Sequence, residues 1–284
     1  MEDLPKCSII IPLYNRVDLT RSCLESLVEH TPPSTYEVVL VDNASTDETG
    51  ALLSQLDGDV VIIRNETNQG FAIACNQGAA AASSDLLLFL NNDTQLLPGW
   101  IEPLLRATVE QPQVGAVGAK LIYPDGTIQH GGVSIIQNRI GGLFGGWHDH
   151  VGKPASWPDA NVAKFRNAVT GALMLVRRNA FEQVGGFDTR YWNGNEDVDL
   201  CLALREAGWQ VLYEPASTVI HYESQSGPER HISENENNVL LRDRWNDVVL
   251  PDIVLMHGRD LAAIGGFPHL ARRQRKKRTG SARR

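Results

Sequence analysis

Three acids in four positions, Glu196-Asp197-Val198-Asp199, follow Gly185-Gly186-Phe187-Asp188 and the aromatic pair Tyr191-Trp192. Carboxylates at a helix start are held ionised by the helix dipole, and one of them could take a proton from a substrate hydroxyl. Helix capping also explains acids there, but not the glycines and aromatic faces upstream, which suit a shaped pocket. A second polar group, Asn91-Asn92-Asp93-Thr94, follows the apolar run Leu86–Leu90. A carboxylate just past a buried strand costs desolvation unless it is paired, hydrogen-bonded or holding a cation. His221 closes Thr218-Val219-Ile220-His221 and would be a metal ligand if it faced Asp93; a lone histidine serves structure equally well. His148-Asp149-His150 offers ligand types too, but with i, i+2 spacing in a segment without a clear period.

These groups need elements to hold them. Cys7–Leu13, Glu37–Val41, Val60–Ile63 and Leu86–Leu90 read as buried strands. Helical patterns alternate with them: one capped by Asp18, one opened by a Ser45–Glu48 capping box and running through Leu56, and one over Phe71–Ala82. Such an order predicts an α/β fold with a single Rossmann-like, mainly parallel mixed sheet flanked by helices. Beyond it come Val114–Ile122, an Asp125-Gly126 hairpin turn and a Gly-, His- and Trp-rich stretch from Gly131 to Asn161, expected to be a long mobile loop and candidate lid. Further strands are expected at Ala168–Val176, Gln210–Tyr213 and Thr218–His221, and further helices at Asp197–Ala207 and Ser233–Trp245. The absence of any linker signal makes residues 1–250 one domain, with an extension over 251–270 and a basic, disordered tail over 271–284.

In an open sheet of this kind ligands bind beyond the carboxyl ends of the strands. Pro12-Leu13-Tyr14-Asn15-Arg16, Val41-Asp42-Asn43-Ala44-Ser45 and Asn91-Asn92-Asp93 fall there, and Asn68-Gln69-Gly70-Phe71 opens a helix whose N–H groups could meet an anion. Each alone is explained by turn and cap roles; four on one edge point to a site. Neither a Gly-x-Gly-x-x-Gly after the first strand nor a Walker lysine loop occurs, so dinucleotide and P-loop readings lose their support.

Composition narrows the class further. The 284 residues are 42% hydrophobic and 21% charged with net charge −8, an ordinary globular balance. Eight of the 26 basic residues lie in Ala271–Arg284, leaving 18 against 34 acidic residues elsewhere. So acidic a body is a poor nucleic-acid binder, whereas the tail could touch anionic lipid or RNA. No apolar run is long enough to span a bilayer and no signal peptide is visible. Four scattered cysteines suit reduced core thiols, so a cytosolic protein is expected.

In this order and at these distances, Ser8–Asn15, Val41–Asp47, Asn68–Phe71, Leu90–Asp93 and Gly185–Asp188 through Glu196-Asp197 resemble the family 2 glycosyltransferases of the GT-A fold, near the bacterial rhamnosyltransferase-like group. The resemblance implies an inverting, metal-dependent enzyme that moves a sugar from a UDP-, dTDP- or GDP-linked donor to a hydroxyl of a glycan or lipid-linked acceptor, in bacterial polysaccharide or glycan synthesis. It implies that Pro12, Tyr14, Asn15, Asp42, Asn68, Gly70, Asn76 and Asn92 bind the nucleotide. It further implies that Asp93 and His221 hold Mg²⁺ or Mn²⁺, with Asn91 replacing the first acid of the family's Asp-x-Asp. Asp197 would be the general base, Glu196 its neighbour in positioning, and Trp192 and Gly171 part of the donor and acceptor pocket. The basic tail would keep the protein at the inner face of a membrane. The alternatives are a nucleotide- or glycan-binding module of the same fold with weak catalysis, and a sugar-phosphate nucleotidyltransferase, which would want a glycine-rich loop where Asn15-Arg16-Val17-Asp18 stands.

Overall fold

The computed structural model describes residues 4–58, 60–138, 143–223 and 233–255. Branched apolar side chains make β1 (Cys7–Leu13), in which every residue but Pro12 is buried. The chain then passes through Asn15 and Arg16, both left-handed (φ 58° and 59°), into α1 (Val17–His30). Asp18 lies inside the first turn, paired with Arg16, and is not the cap it was expected to be. The first N–H of the helix, that of Val17, donates instead to Asp47 Oδ2 at 2.9 Å, across the loop after β2 (Tyr36–Asp42).

The expected capping box at Ser45 also fails to form, because its side chain is used elsewhere. Ser45 Oγ accepts the Asn15 N–H at 2.8 Å and Ser45 N–H donates to Asp42 Oδ1 at 2.9 Å. The helix α2 (Thr49–Leu53) therefore starts late and is short. It is followed by β3 (Val60–Arg64), α3 (Phe71–Ala81), β4 (Leu86–Leu90), β5 (Thr94–Gln95), α4 (Glu102–Glu110), β6 (Val114–Ile122) and β7 (Ile128–His130). The Asp125-Gly126 turn joins the last two as an antiparallel pair, as its sequence predicts.

The stretch from Gly131 to Asn161 is not the irregular loop its composition suggested. It holds β8 (Val133–Asn138) and β9 (Leu143–His148), antiparallel in register Val133↔His148 to Asn138↔Leu143. Two glycines mask the strand period of β9, and at Gly146 the space demands one. A Cβ there would stand 2.8 Å from a methyl of Val198 and 2.9 Å from one of Val133. After β10 (Lys164–Phe165) come β11 (Leu173–Arg177), α5 (Arg178–Gln183), α6 (Glu196–Glu206), β12 (Gln210–His221), α7 (Glu234–Trp245) and β13 (Ile253–Leu255). The two strands expected near Gln210 and Thr218 are one, β12, with a register irregularity between Glu214 and Thr218.

The main sheet runs β10-β12-β6-β11-β4-β1-β2-β3, with β5 on β12 and β7 on β6; β13-β8-β9 form a second sheet. Strands β4, β1, β2 and β3 are mutually parallel, and β11 is antiparallel to both β4 and β6. Side chains alternate across the sheet, so Ile10 and Val39 pack into one core with α3 and α6, and Ile9 and Leu40 into another with α1 and α4. All four cysteines are free and buried, and burial pushes the thiols of Cys7, Cys23 and Cys201 up to about 12, which makes them inert. The expected tail over 271–284, and all of the extension beyond residue 255, lie outside the described residues. Among the described residues no helix is long and apolar enough to cross a membrane.

Candidate active site

Strand direction decides where the polar clusters go. The carboxyl ends of β1, β2 and β4 share one edge of the sheet, and the start of β11 meets that edge through the Asn91 N–H, which donates to Ala172 O at 2.9 Å. A cavity of about 320 Å³ opens there. Asp93 and Asp197, 104 positions apart in the chain, both line it.

The end of β12 pairs with β5, placing His221 opposite Thr94, and Tyr222 N–H donates to the carbonyl of Asp93. The result is a contact of 2.9 Å between His221 Nε2 and Asp93 Oδ1, both residues being buried. Asn91 Nδ2 stands 3.4 Å from the same ring nitrogen. Two donors bound at about 2.1 Å to an octahedral cation, at right angles, lie about 3 Å apart, so the pair has the bite such an ion takes. No group of three or more His, Cys, Asp or Glu side chains that could hold a metal ion exists among the described residues, which leaves other positions of an ion to water and phosphate oxygens. The donor set fits Mg²⁺ or Mn²⁺.

Asp197 sits in the first turn of α6. Its Oδ2 accepts the Gly171 N–H and its Oδ1 the Val198 N–H, each at 2.8 Å. No cationic side chain pairs with it among the described residues. Each oxygen therefore keeps a lone pair, and the carboxylate is oriented by backbone alone. Glu196, its neighbour, is buried, and burial pushes the Cys75 thiol well up with the Glu196 charge adding to it. Trp192 forms part of the wall at 38% exposure, and its carbonyl accepts the Phe71 N–H at 3.2 Å. Gly70 makes this approach possible: its φ is +82° and a Cβ would stand 2.6 Å from Trp192 O.

Pro12, Tyr14, Asn68, Asn92 and Gly171 also line the cavity, as expected. Asn15, Asp42 and Asn76 do not. Asn15 Oδ1 accepts the Thr46 N–H at 2.7 Å and Asp42 Oδ1 that of Ser45, so these two brace the loop behind Tyr14. Asn76 is a clamp on the turn before α6: its Oδ1 accepts the Phe187 N–H at 3.0 Å and its amide donates to Phe187 O at 2.8 Å. Between them, Asn43 lines the cavity in their place, its amide donating to Asn68 Oδ1 and Gly70 O while its oxygen accepts from Asn65 and the Gln69 N–H.

Two further polar residues went unnoticed or underrated in the sequence. Gln129, on β7, reaches His221. His148, at the end of β9, forms part of the wall, whereas His150 does not. Burial pushes the His148 imidazole below its ordinary range, against the pull of the Asp197 and Glu223 carboxylates. Four acids (Asp93, Glu196, Asp197 and Glu223) line the cavity and, among the described residues, no Lys or Arg does.

Residues 8–157 match the model of the family described as glycosyl transferase family 2, and residues 158–247 that described as glycosyltransferase like family 2. The chain belongs to glycosyl transferase family 2. The O-antigen biosynthesis protein RfbC of Myxococcus xanthus is 40% identical over 227 residues, 78% of this chain but only 18% of that relative's length. The N-acetylglucosaminyl-diphospho-decaprenol L-rhamnosyltransferase of Mycobacterium tuberculosis (strain CDC 1551 / Oshkosh) is 31% identical over 229 residues, 73% of this chain and 75% of its own. Among solved structures, GalNAc-T7 with UDP, GalNAc and Mn²⁺ superposes with a TM-score of 0.61 at 20% identity, over 80% of this chain and 45% of that one. The family 2 fold expected from the sequence, GT-A, is the fold observed.

Proposed function

We propose that this family 2 chain transfers a sugar, with inversion, from a nucleoside diphosphate sugar to a hydroxyl of a glycan or lipid-linked acceptor in bacterial polysaccharide synthesis. The observation that carries the reading is the presence of the Asp93–His221 pair and the backbone-held Asp197 carboxylate in one sugar-sized cavity. The acceptor O–H gives its proton to Asp197 as its oxygen attacks the anomeric carbon. The bond from that carbon to the diphosphate oxygen breaks on the opposite face, and the leaving group departs with the electron pair. That geometry inverts the anomeric centre.

A diphosphate in a cavity lined by acids is opposed by their charge. Asp93 and His221, with Asn91 beside them, would hold Mg²⁺ or Mn²⁺, which supplies the positive charge that stabilises the departing diphosphate. Pro12, Tyr14, Asn43, Asn68, Gly70 and Asn92 line the side of the cavity assigned to the nucleotide, with Asn15, Asp42 and Asn76 supporting it from behind. Glu196 shapes the donor side, and Trp192 offers a face to a sugar ring. Peripheral attachment to a membrane through the basic tail belongs to the same reading, and the bacterial relatives named above are in keeping with a polysaccharide role.

Asp197→Asn tests the assignment. Calorimetric titration with UDP, dTDP and GDP should give affinities within about twofold of the parent, while transfer and donor hydrolysis fall at least 100-fold, the scale of a lost general base. Turnover retained in the variant would refute the base. Nucleotide binding by the parent chain without either reaction would make it a binding module.

A further inference from the structure

Gln129 is 2% exposed and touches two imidazoles of the cavity with two different atoms. Its side-chain Oε1 lies 3.0 Å from Nδ1 of His221, and its carbonyl oxygen lies 3.2 Å from Nδ1 of His148. An oxygen can only accept, so each Nδ1 carries a proton and each ring turns Nε2 to its far side. At His221, Nε2 faces Asp93 Oδ1, also an acceptor, 2.9 Å away, so without a cation a proton lies in that contact, and a bound cation would take its place. The adjacent residue on β7, His130, is turned to other partners: Nδ1 to Ala119 O at 2.9 Å and Nε2 to the Thr170 N–H at 3.3 Å. The strand thus delivers one side chain, that of Gln129, to the back of the cation-binding imidazole.

We propose that Gln129 is a positioning residue for a divalent cation, fixing the tautomer and rotation of His221 so that Nε2 and Asp93 Oδ1 form one two-atom bite. The inference rests on the metal dependence in the functional reading above, and deepens it. A ligating histidine binds through a ring nitrogen lone pair, and an acceptor on the other nitrogen both directs that lone pair and holds the ring still. A neutral amide does this without adding negative charge. With no group of three or more His, Cys, Asp or Glu side chains that could hold a metal ion among the described residues, the orientation of this one ring carries much of the site's affinity.

The test is Mn²⁺ binding, read by the electron paramagnetic resonance signal of the free ion, to the full chain with UDP, dTDP or GDP present. Gln129→Leu, close in volume but without an acceptor, should weaken Mn²⁺ binding about 10- to 100-fold, the range found for such outer partners. Binding of the nucleotide alone should stay within about twofold of the parent. Gln129→Glu restores the acceptor and should return Mn²⁺ affinity to within a few-fold of the parent. In ¹⁵N-labelled, metal-free protein Nδ1 of His221 should be protonated and hydrogen-bonded, and that bond should be lost in Gln129→Leu. If the leucine variant does not fold, Gln129→Asn, whose amide falls one methylene short, should show the same loss. Folded Gln129→Leu with Mn²⁺ affinity within twofold of the parent overturns the inference alone. Equal weakening by Leu and Glu overturns it as well, since packing would then be the cause. A parent chain that binds no Mn²⁺ with any of the three nucleotides overturns both the inference and the metal reading beneath it.

Discussion

Single residues carry the chemistry, and the informative ones are those whose alternatives the structure removes. Asp197 could have been spent on capping or an ion pair; instead two backbone N–H groups aim it into the cavity. Asp93 and His221 were legible because a carboxylate and an imidazole at strand ends attract attention. Gln129 was not, since a buried amide in a strand looks like any other polar residue until its partners are known. Asn15, Asp42 and Asn76 sit in equally recognisable motifs, and their side chains hold backbone in place behind the cavity. With the cavity wall acidic, transfer and donor hydrolysis are expected to fall to background in EDTA and to return with Mg²⁺ or Mn²⁺. Full activity in chelated buffer would mean that the leaving group is stabilised without an ion.

At the scale of elements, the turn that leads into Asp197 is set by how α6 meets α7. Asp199 is buried between them: its Oδ1 accepts Trp245 Nε1–H at 2.7 Å and Tyr191 O–H at 3.1 Å, and its Oδ2 pairs with Arg244 at 2.8 Å. Burial raises the Asp199 carboxyl above its ordinary value, although Trp245, Arg244 and Tyr191 all favour the charged form. From the same helix α7, the Asn237 amide donates to the carbonyls of Asn193 and Gly194, in the turn just before Asp197. Asp199→Ala leaves two buried donors unpaired and should cost about 3 kcal/mol in urea unfolding, whereas Asp199→Asn, which keeps an oxygen acceptor, should cost less than half of that. A loss under about 0.5 kcal/mol for alanine would mean that α7 is held by apolar packing alone. The βα units of the first half were readable because period and order agree there. Strand β9 was not, because Gly146 answers to Val198 and Val133 in three dimensions and, with Gly145 beside it, leaves no alternation in the sequence. Caps were misread for a related reason: Asp47 serves the start of α1 from another loop.

For the whole molecule, the sheet order brings β4, β11 and β12 together from three distant stretches, and neither composition nor local period encodes that closure. It also buries His130 behind the site and sets His148 in its wall. Burial pushes His130 well below its ordinary value and lowers His148. Below about pH 6.5 the unfolded chain therefore binds protons that the folded chain refuses, so their contribution is full above that pH and is lost as the pH falls. The unfolding free energy should drop by up to about 1.4 kcal/mol per pH unit for each such histidine, and His130→Gln should flatten the slope between pH 6.5 and 5 by about one proton. An unchanged slope would show that His130 titrates alike in both states. The whole arrangement is most directly tested by a crystal of the full chain soaked with Mn²⁺ and a nucleoside diphosphate, with anomalous scattering recorded for manganese. The expected result is one manganese peak within about 2.3 Å of both Asp93 and His221 Nε2, with the diphosphate bound to it and the Asp197 carboxylate facing it across an open sugar-sized gap. A peak held by other residues, or a nucleotide lying outside this cavity, would contradict it.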